Sequence, residues 1–128
     1  MSEKKRILVV DDEPDFCAIV QGQLEKEGFE VEIAYDGIEG LEKAHANPPD
    51  AIVLDVMMPE MDGYEVCRKL KGDEKCADIP VVLLTAVASH VTSTRYTHRD
   101  GMNSEADDYI AKPASAEEIA ESIKPFFD

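Results

Sequence analysis

Residues 7–16 read Ile7-Leu8-Val9-Val10-Asp11-Asp12-Glu13-Pro14-Asp15-Phe16, and the fold turns on how that stretch divides. Four apolar, mostly β-branched residues in a row fit a strand buried on both faces, as in a parallel sheet covered by helices. The run stops on two carboxylates. Pro14 then stands where the first turn of a helix accepts it. Phe16, Ile19, Val20 and Leu24 repeat at helical spacing, and Gly28 stops the helix. Strand, acidic junction and helix make a βα unit.

The alternation continues outward from there. Residues 31–34 read as a second strand, and Ile38, Leu41 and Ala44 mark a helix ended by Asn47-Pro48-Pro49. Residues 51–54 form a third, uniformly apolar strand, followed after Gly63 by a helix with Val66, Cys67 and Leu70. Pro80 opens a fourth strand at 81–84, and 109–111 is a short fifth. Ile119, Ile123 and Phe126 give a last helix. A further helix is expected within 88–106, but its apolar period (Val91, Tyr96, Met102) is weak. Five strands alternating with five helical segments predict an α/β fold, a three-layer αβα sandwich around a doubly wound parallel sheet.

The chain has 128 residues, which fits one domain, and 44% are hydrophobic, enough for a core. Acids outnumber bases 28 to 13, for a net charge of −15. Such a balance argues against nucleic acid or an anionic membrane as partners, because both need basic clusters. Within 66–99 bases (Arg68, Lys69, Lys71, Lys75, Arg95, Arg99) outnumber acids (Asp73, Glu74, Asp78). Cys17, Cys67 and Cys76 form no ligand spacing and no disulfide framework, which suggests a reducing compartment. Cys17 and Cys67 fall in apolar helical patterns and are expected in or near the core. The run 7–10 is too short for a signal peptide, so a cytoplasmic location is expected. His45, His90 and His98 read as surface residues, and Asp62-Gly63 as a turn.

Ligands of open parallel sheets bind beyond the carboxyl ends of the strands. Asp11 and Asp12 follow the first strand, Ala34-Tyr35-Asp36 the second and Asp55 the third. Thr85 ends the fourth, and Lys112-Pro113 follows the fifth. Taken alone, Asp11 or Asp12 reads equally well as a helix N-cap. Three crowded carboxylates repel unless a cation neutralises them, and an all-oxygen site suits Mg²⁺ better than zinc.

This ordered set resembles the receiver domain of two-component response regulators, of the single-domain chemotaxis-regulator kind. Asp11-Asp12, Asp55 with Met58-Pro59 and Asp62-Gly63, Thr85-Ala86, and the run from Asp107-Asp108-Tyr109 to Lys112-Pro113 carry the likeness. It covers about 5–127, so the whole chain, 1–128, is expected to be one receiver domain. The resemblance implies a flavodoxin-like sheet with strand order 2-1-3-4-5. It makes Asp55 the acceptor of a phosphoryl group from a histidine kinase or histidine phosphotransfer protein. It implies Mg²⁺ held by Asp11, Asp12, Asp55 and the backbone carbonyl of Met57. Lys112 would pair with Asp55 and then with the phosphoryl group, and Thr85 would hydrogen-bond it. Tyr109 takes the aromatic switch position that moves with Thr85. Pro113 would follow a cis peptide. A monomer or a weak phosphorylation-dependent dimer is expected.

Two departures qualify the likeness. Thr85 and Lys112 stand 27 positions apart, a few more than is usual in the family, and the excess falls in 88–106. A remodelled or mobile helix is expected there. In relatives, the side chains two positions after the acceptor and two after the threonine affect dephosphorylation. Here they are Met57 and Val87, which cannot orient water, so a long-lived phospho-form is expected. The chain ends soon after its last helix, which favours a stand-alone receiver over one carrying an output domain. The alternatives are a Mg²⁺-dependent phosphohydrolase on a similar sheet, a flavodoxin-like cofactor binder and a non-phosphorylated scaffolding receiver. Met57 stands where the first would want a second acid. The acidic loop at 11–14 lacks the phosphate-cradling residues of the second.

Overall fold

The structure is a computed structural model that describes residues 4–58, 61–86, 106–112 and 115–127, without the side chains of 85, 86, 111 and 112. Its strands are β1 (Arg6–Val10), β2 (Glu30–Ala34), β3 (Ala51–Asp55), β4 (Val81–Ala86) and β5 (Asp108–Lys112). Its helices are α1 (Pro14–Lys26), α2 (Gly37–Ala46), α3 (Gly63–Lys71) and α4 (Ala116–Ile123), followed by a 3₁₀ turn at Lys124–Phe127. All strand pairs are parallel, and the order is β2-β1-β3-β4-β5. The expected class and strand order are therefore observed. The helix expected within 88–106 and the cis peptide at Pro113 lie outside the described residues.

Strand alternation divides the core in two. Leu8, Val10, Ile52, Leu54, Val81 and Leu83 face Ala44 of α2 and Val66, Cys67 and Leu70 of α3. Ile7, Val9, Ala51, Val53 and Leu84 face Cys17, Val20 and Leu24 of α1 and Ile119, Ala120 and Ile123 of α4. All five residues of β3 are buried, as a central strand covered on both faces requires. Burying each large aliphatic side chain here stabilises the fold by about 1.5–3 kcal/mol.

Local signals set the element ends. Gly28, at φ 101°, closes α1. Its N–H donates to Glu25 O and that of Phe29 to Leu24 O, a Schellman arrangement. Asp36 caps α2 by accepting from Glu39 N at 2.7 Å. Ser115 and Glu118 form a reciprocal capping box on α4. Asp62-Gly63 is not the turn expected. Asp62 is the N-cap of α3, accepting from Glu65 N at 2.9 Å, and Gly63 is already helical. The last α-helix stops short of Phe126 because Pro125 has no N–H to continue the ladder. Cys76 is buried along with Cys17 and Cys67. Its burial comes from the turns after α3, which carry no helical period.

Candidate functional site

The parallel order sends the carboxyl ends of β1, β3, β4 and β5 to one rim in that sequence. Asp11 extends β1 by one step, its N–H donating to Ala34 O at 3.0 Å. Its side chain is fully buried, and its Oδ1 accepts from Glu13 N at 2.9 Å. The Asp11 carbonyl accepts from Cys17 Sγ of α1 at 3.3 Å. Asp12 is exposed. Helix capping does not account for the pair. The N-cap of α1 is Glu13, with no side-chain cap bond, and Asp11 braces the turn ahead of it.

Asp55 ends β3 and is only 2% exposed. Its Oδ1 accepts from Met57 N at 3.2 Å, while the Met57 side chain points into solvent, 61% exposed. Next comes α3, pressed against the strand end. A Cβ built on Gly63 would lie 2.5 Å from Asp55 O and 2.8 Å from Val56 Cα, so only glycine fits. The Gly63 N–H donates to Val56 O at 3.0 Å, which ties the start of α3 to the residue after β3.

One carboxylate oxygen from each of Asp11, Asp12 and Asp55 lies within 4.8 Å of the others. Two of the three residues are buried. Like charges this close need a neutralising cation. The donors are all hard oxygens with one side open to water, which fits Mg²⁺ and leaves a soft metal without a ligand. Thr85 lies opposite Ala111, and Lys112 opposite Ala86, so the backbone puts both at the same rim. Tyr109 lies opposite Leu83, half-buried against the α2/α3 side of the core. Asp36 belongs to the cap of α2, and His45, 60% exposed, pairs with Asp73 at 2.7 Å. His90 and His98 lie outside the described residues. Sequence reasoning missed the close approach at Gly63. It missed the N-cap role of Asp62 as well, whose signal was an Asp just ahead of an apolar helical period, with Glu65 three residues on.

The receiver-domain model for response regulators matches residues 7–124. The chain belongs to the response regulator receiver domain family. This receiver domain is 41% identical over 119 residues to the DNA-binding dual master transcriptional regulator RpaA of Synechocystis, covering 93% of the chain and 47% of the relative. It is 45% identical over 114 residues to the response regulator MprA of Mycobacterium tuberculosis, covering 89% of the chain and 46% of that protein. It thus spans about half the length of these curated relatives. Among solved structures, the chemotaxis protein CheY4 of Vibrio cholerae superposes with a TM-score of 0.86 at 28% identity, over 98% of this chain and 100% of that one. The receiver domain of Francisella response regulator 1452 gives 0.82 at 29%, over 96% of each. The receiver domain is therefore a response-regulator component of two-component signalling. Among the described residues, no helix is long and apolar enough to cross a membrane.

Proposed function

We propose that this receiver domain takes a phosphoryl group on Asp55 from a histidine kinase or a histidine phosphotransfer protein, and that the phospho-form alters partner binding. The whole chain acts as one receiver unit with a core at about 5–127, in the cytoplasm. The observation that carries this reading is the buried Asp55 carboxylate, grouped with those of Asp11 and Asp12 within 4.8 Å.

Phosphoryl transfer asks a protein mainly for positioning and charge neutralisation. Asp55 Oδ bonds to phosphorus as the phosphorus–nitrogen bond of the donor phosphohistidine breaks, and the imidazole leaves with the electron pair. Asp11, Asp12, Asp55 and the Met57 carbonyl are the groups that would hold Mg²⁺, which supplies charge neutralisation. Lys112 offers a second positive charge. Thr85 offers a hydroxyl to the phosphoryl oxygens, and the half-buried Tyr109 responds to it. Hydrogen bonds to charged groups are worth about 1.5–3 kcal/mol each, and reversing a 1:99 equilibrium takes roughly 5.5 kcal/mol. Two such contacts are the right order for a population shift. The exposed apolar Met57 cannot position water, so the acyl phosphate persists.

Incubation with Mg²⁺ and a small acyl phosphate is expected to add one phosphoryl mass, absent from Asp55→Asn, and decaying over hours rather than seconds as an order of magnitude. An unmodified wild type, or an equal adduct on the variant, refutes the assignment. A decay within seconds refutes the role given to Met57.

A further inference from the structure

We propose that Lys71 and Asp107 are positioning residues for this site, acting from the far end of the sheet. Together they lock the register of β5 on β4 and so set where Lys112 stands. The inference rests on the reading of Lys112 given above.

Among the described residues, β5 pairs only with β4. Its sequence specifies register weakly. Tyr109 packs on the α2/α3 side of the core and its neighbour Ile110 on the α1/α4 side. A one-residue slip would exchange two apolar residues between two apolar faces, so hydrophobic patterning opposes it little. The same slip would move Lys112 by roughly 3.3 Å and turn it to the other face.

The registers differ just ahead of the strand. The Asp107 N–H donates to Val81 O at 2.8 Å. Its Oδ2 accepts from Val81 N at 2.8 Å and from Lys71 Nζ at 3.3 Å. The side chain thus takes a ladder bond that backbone would otherwise take. Lys71 ends α3, and its side chain is 10% exposed. Its ammonium also donates to Ile79 O at 2.8 Å and to Ala77 O at 3.4 Å. Those carbonyls hold the ammonium in place, aimed at whichever residue precedes β5. A slip one way offers it Ala106, which has no acceptor on its side chain. A slip the other way offers Asp108, but Asp108 Oδ2 already accepts from Ser122 Oγ of α4 at 2.6 Å. The tandem acids therefore pin the strand from both layers, Asp107 to α3 and Asp108 to α4.

The test compares Asp107→Ala, Asp107→Asn and Lys71→Met with Leu24→Val, a core change on the α1/α4 side of the sheet that lowers stability away from the clamp. Asp55 phosphorylation by a small acyl phosphate, Mg²⁺ affinity and amide exchange of β5 are measured on each. Asp107→Ala and Lys71→Met are expected to slow phosphorylation by about tenfold or more. Asp107→Asn, which keeps an acceptor for Val81 N, recovers part of that loss. Mg²⁺ affinity stays at the wild-type value, because Asp11 and Asp12 follow β1 and Asp55 ends β3, and Leu24→Val keeps the wild-type rate. Rates within about twofold of wild type for both clamp variants overturn the proposal. So does a parallel loss of Mg²⁺ affinity, which marks general unfolding. If the wild type accepts no phosphoryl group, the reading of Asp55 fails instead. Amide exchange then judges the clamp: faster exchange of residues 109–111 in Asp107→Ala supports it, and unchanged protection overturns it.

Discussion

At Gly63 one hydrogen atom stands where any other residue would drive a carbon into the end of β3. The displaced atoms would be Asp55 O and Val56 Cα, both backbone, which cannot swing aside as a side-chain tip can. Gly63→Ala is expected to cost about 1–3 kcal/mol, read as a lower urea midpoint, and to slow phosphorylation of Asp55 because the strand end must shift. A midpoint equal to that of wild type would show that α3 can retreat freely. Asp11, Asp12 and Asp55 were legible in the sequence because each ends an apolar run. The partner of Asp107 was not legible. Lys71 lies 36 residues away, and a charge in a mixed polar stretch reads as solvated until its neighbours are known. The placement of Asp62 at a helix start was half-legible, since Asp-Gly serves turns and caps alike.

Among the elements, periodicity gave every described strand and helix, and local chemistry moved the ends. β1 begins one residue early, at Arg6, whose guanidinium donates to Asn47 O, Pro48 O and Glu32. The helical period could not show that the final turn tightens at Lys124–Phe127. That turn is fastened to the C-terminal end of α1 and the residues just after it, with Lys124 Nζ 2.8 Å from Glu27 and the Phe127 ring 5.9 Å from that of Phe29, tilted by 50°. The bond from Lys124, and then that from Gln23, holds the Glu27 carboxyl below the usual range, while Glu27 raises Lys124. Glu27 contributes stability above its unfolded pKa, lost as pH falls through its lowered folded pKa. Lys124 contributes below its unfolded pKa, lost as pH rises through its raised folded pKa. The pair therefore acts between the carboxylate and lysine ranges. Both groups are solvated, so the effect is small and screened by salt. Urea midpoints of wild type and Lys124→Met are expected to differ slightly near neutrality and to converge at acid pH, at alkaline pH and in high salt. A difference that persists in high salt would mean that packing of the lysine stem, rather than charge, joins the two elements.

For the whole molecule, a net charge of −15 makes the compact state repel itself. Any salt relieves that repulsion, whereas a cation held by the rim carboxylates adds a term of its own. At a concentration about a hundredfold over its Kd, such binding contributes about 2.7 kcal/mol. Mg²⁺ is therefore expected to raise the melting temperature more than NaCl of equal ionic strength, and Asp12→Asn to remove the excess. Equal shifts from both salts would show that the carboxylates hold no cation. The architecture also gives the rim two unlike walls. Asp55 stands on β3, buried along its whole length and flanked by β1 and β4. Lys112 stands on β5, which among the described residues has a neighbour on one side alone. A load placed on Asp55 meets a stiff backing toward β1 and a compliant one toward β5. The domain is thus built like a cantilever, in which force entering at the fixed centre shows as movement at the free edge.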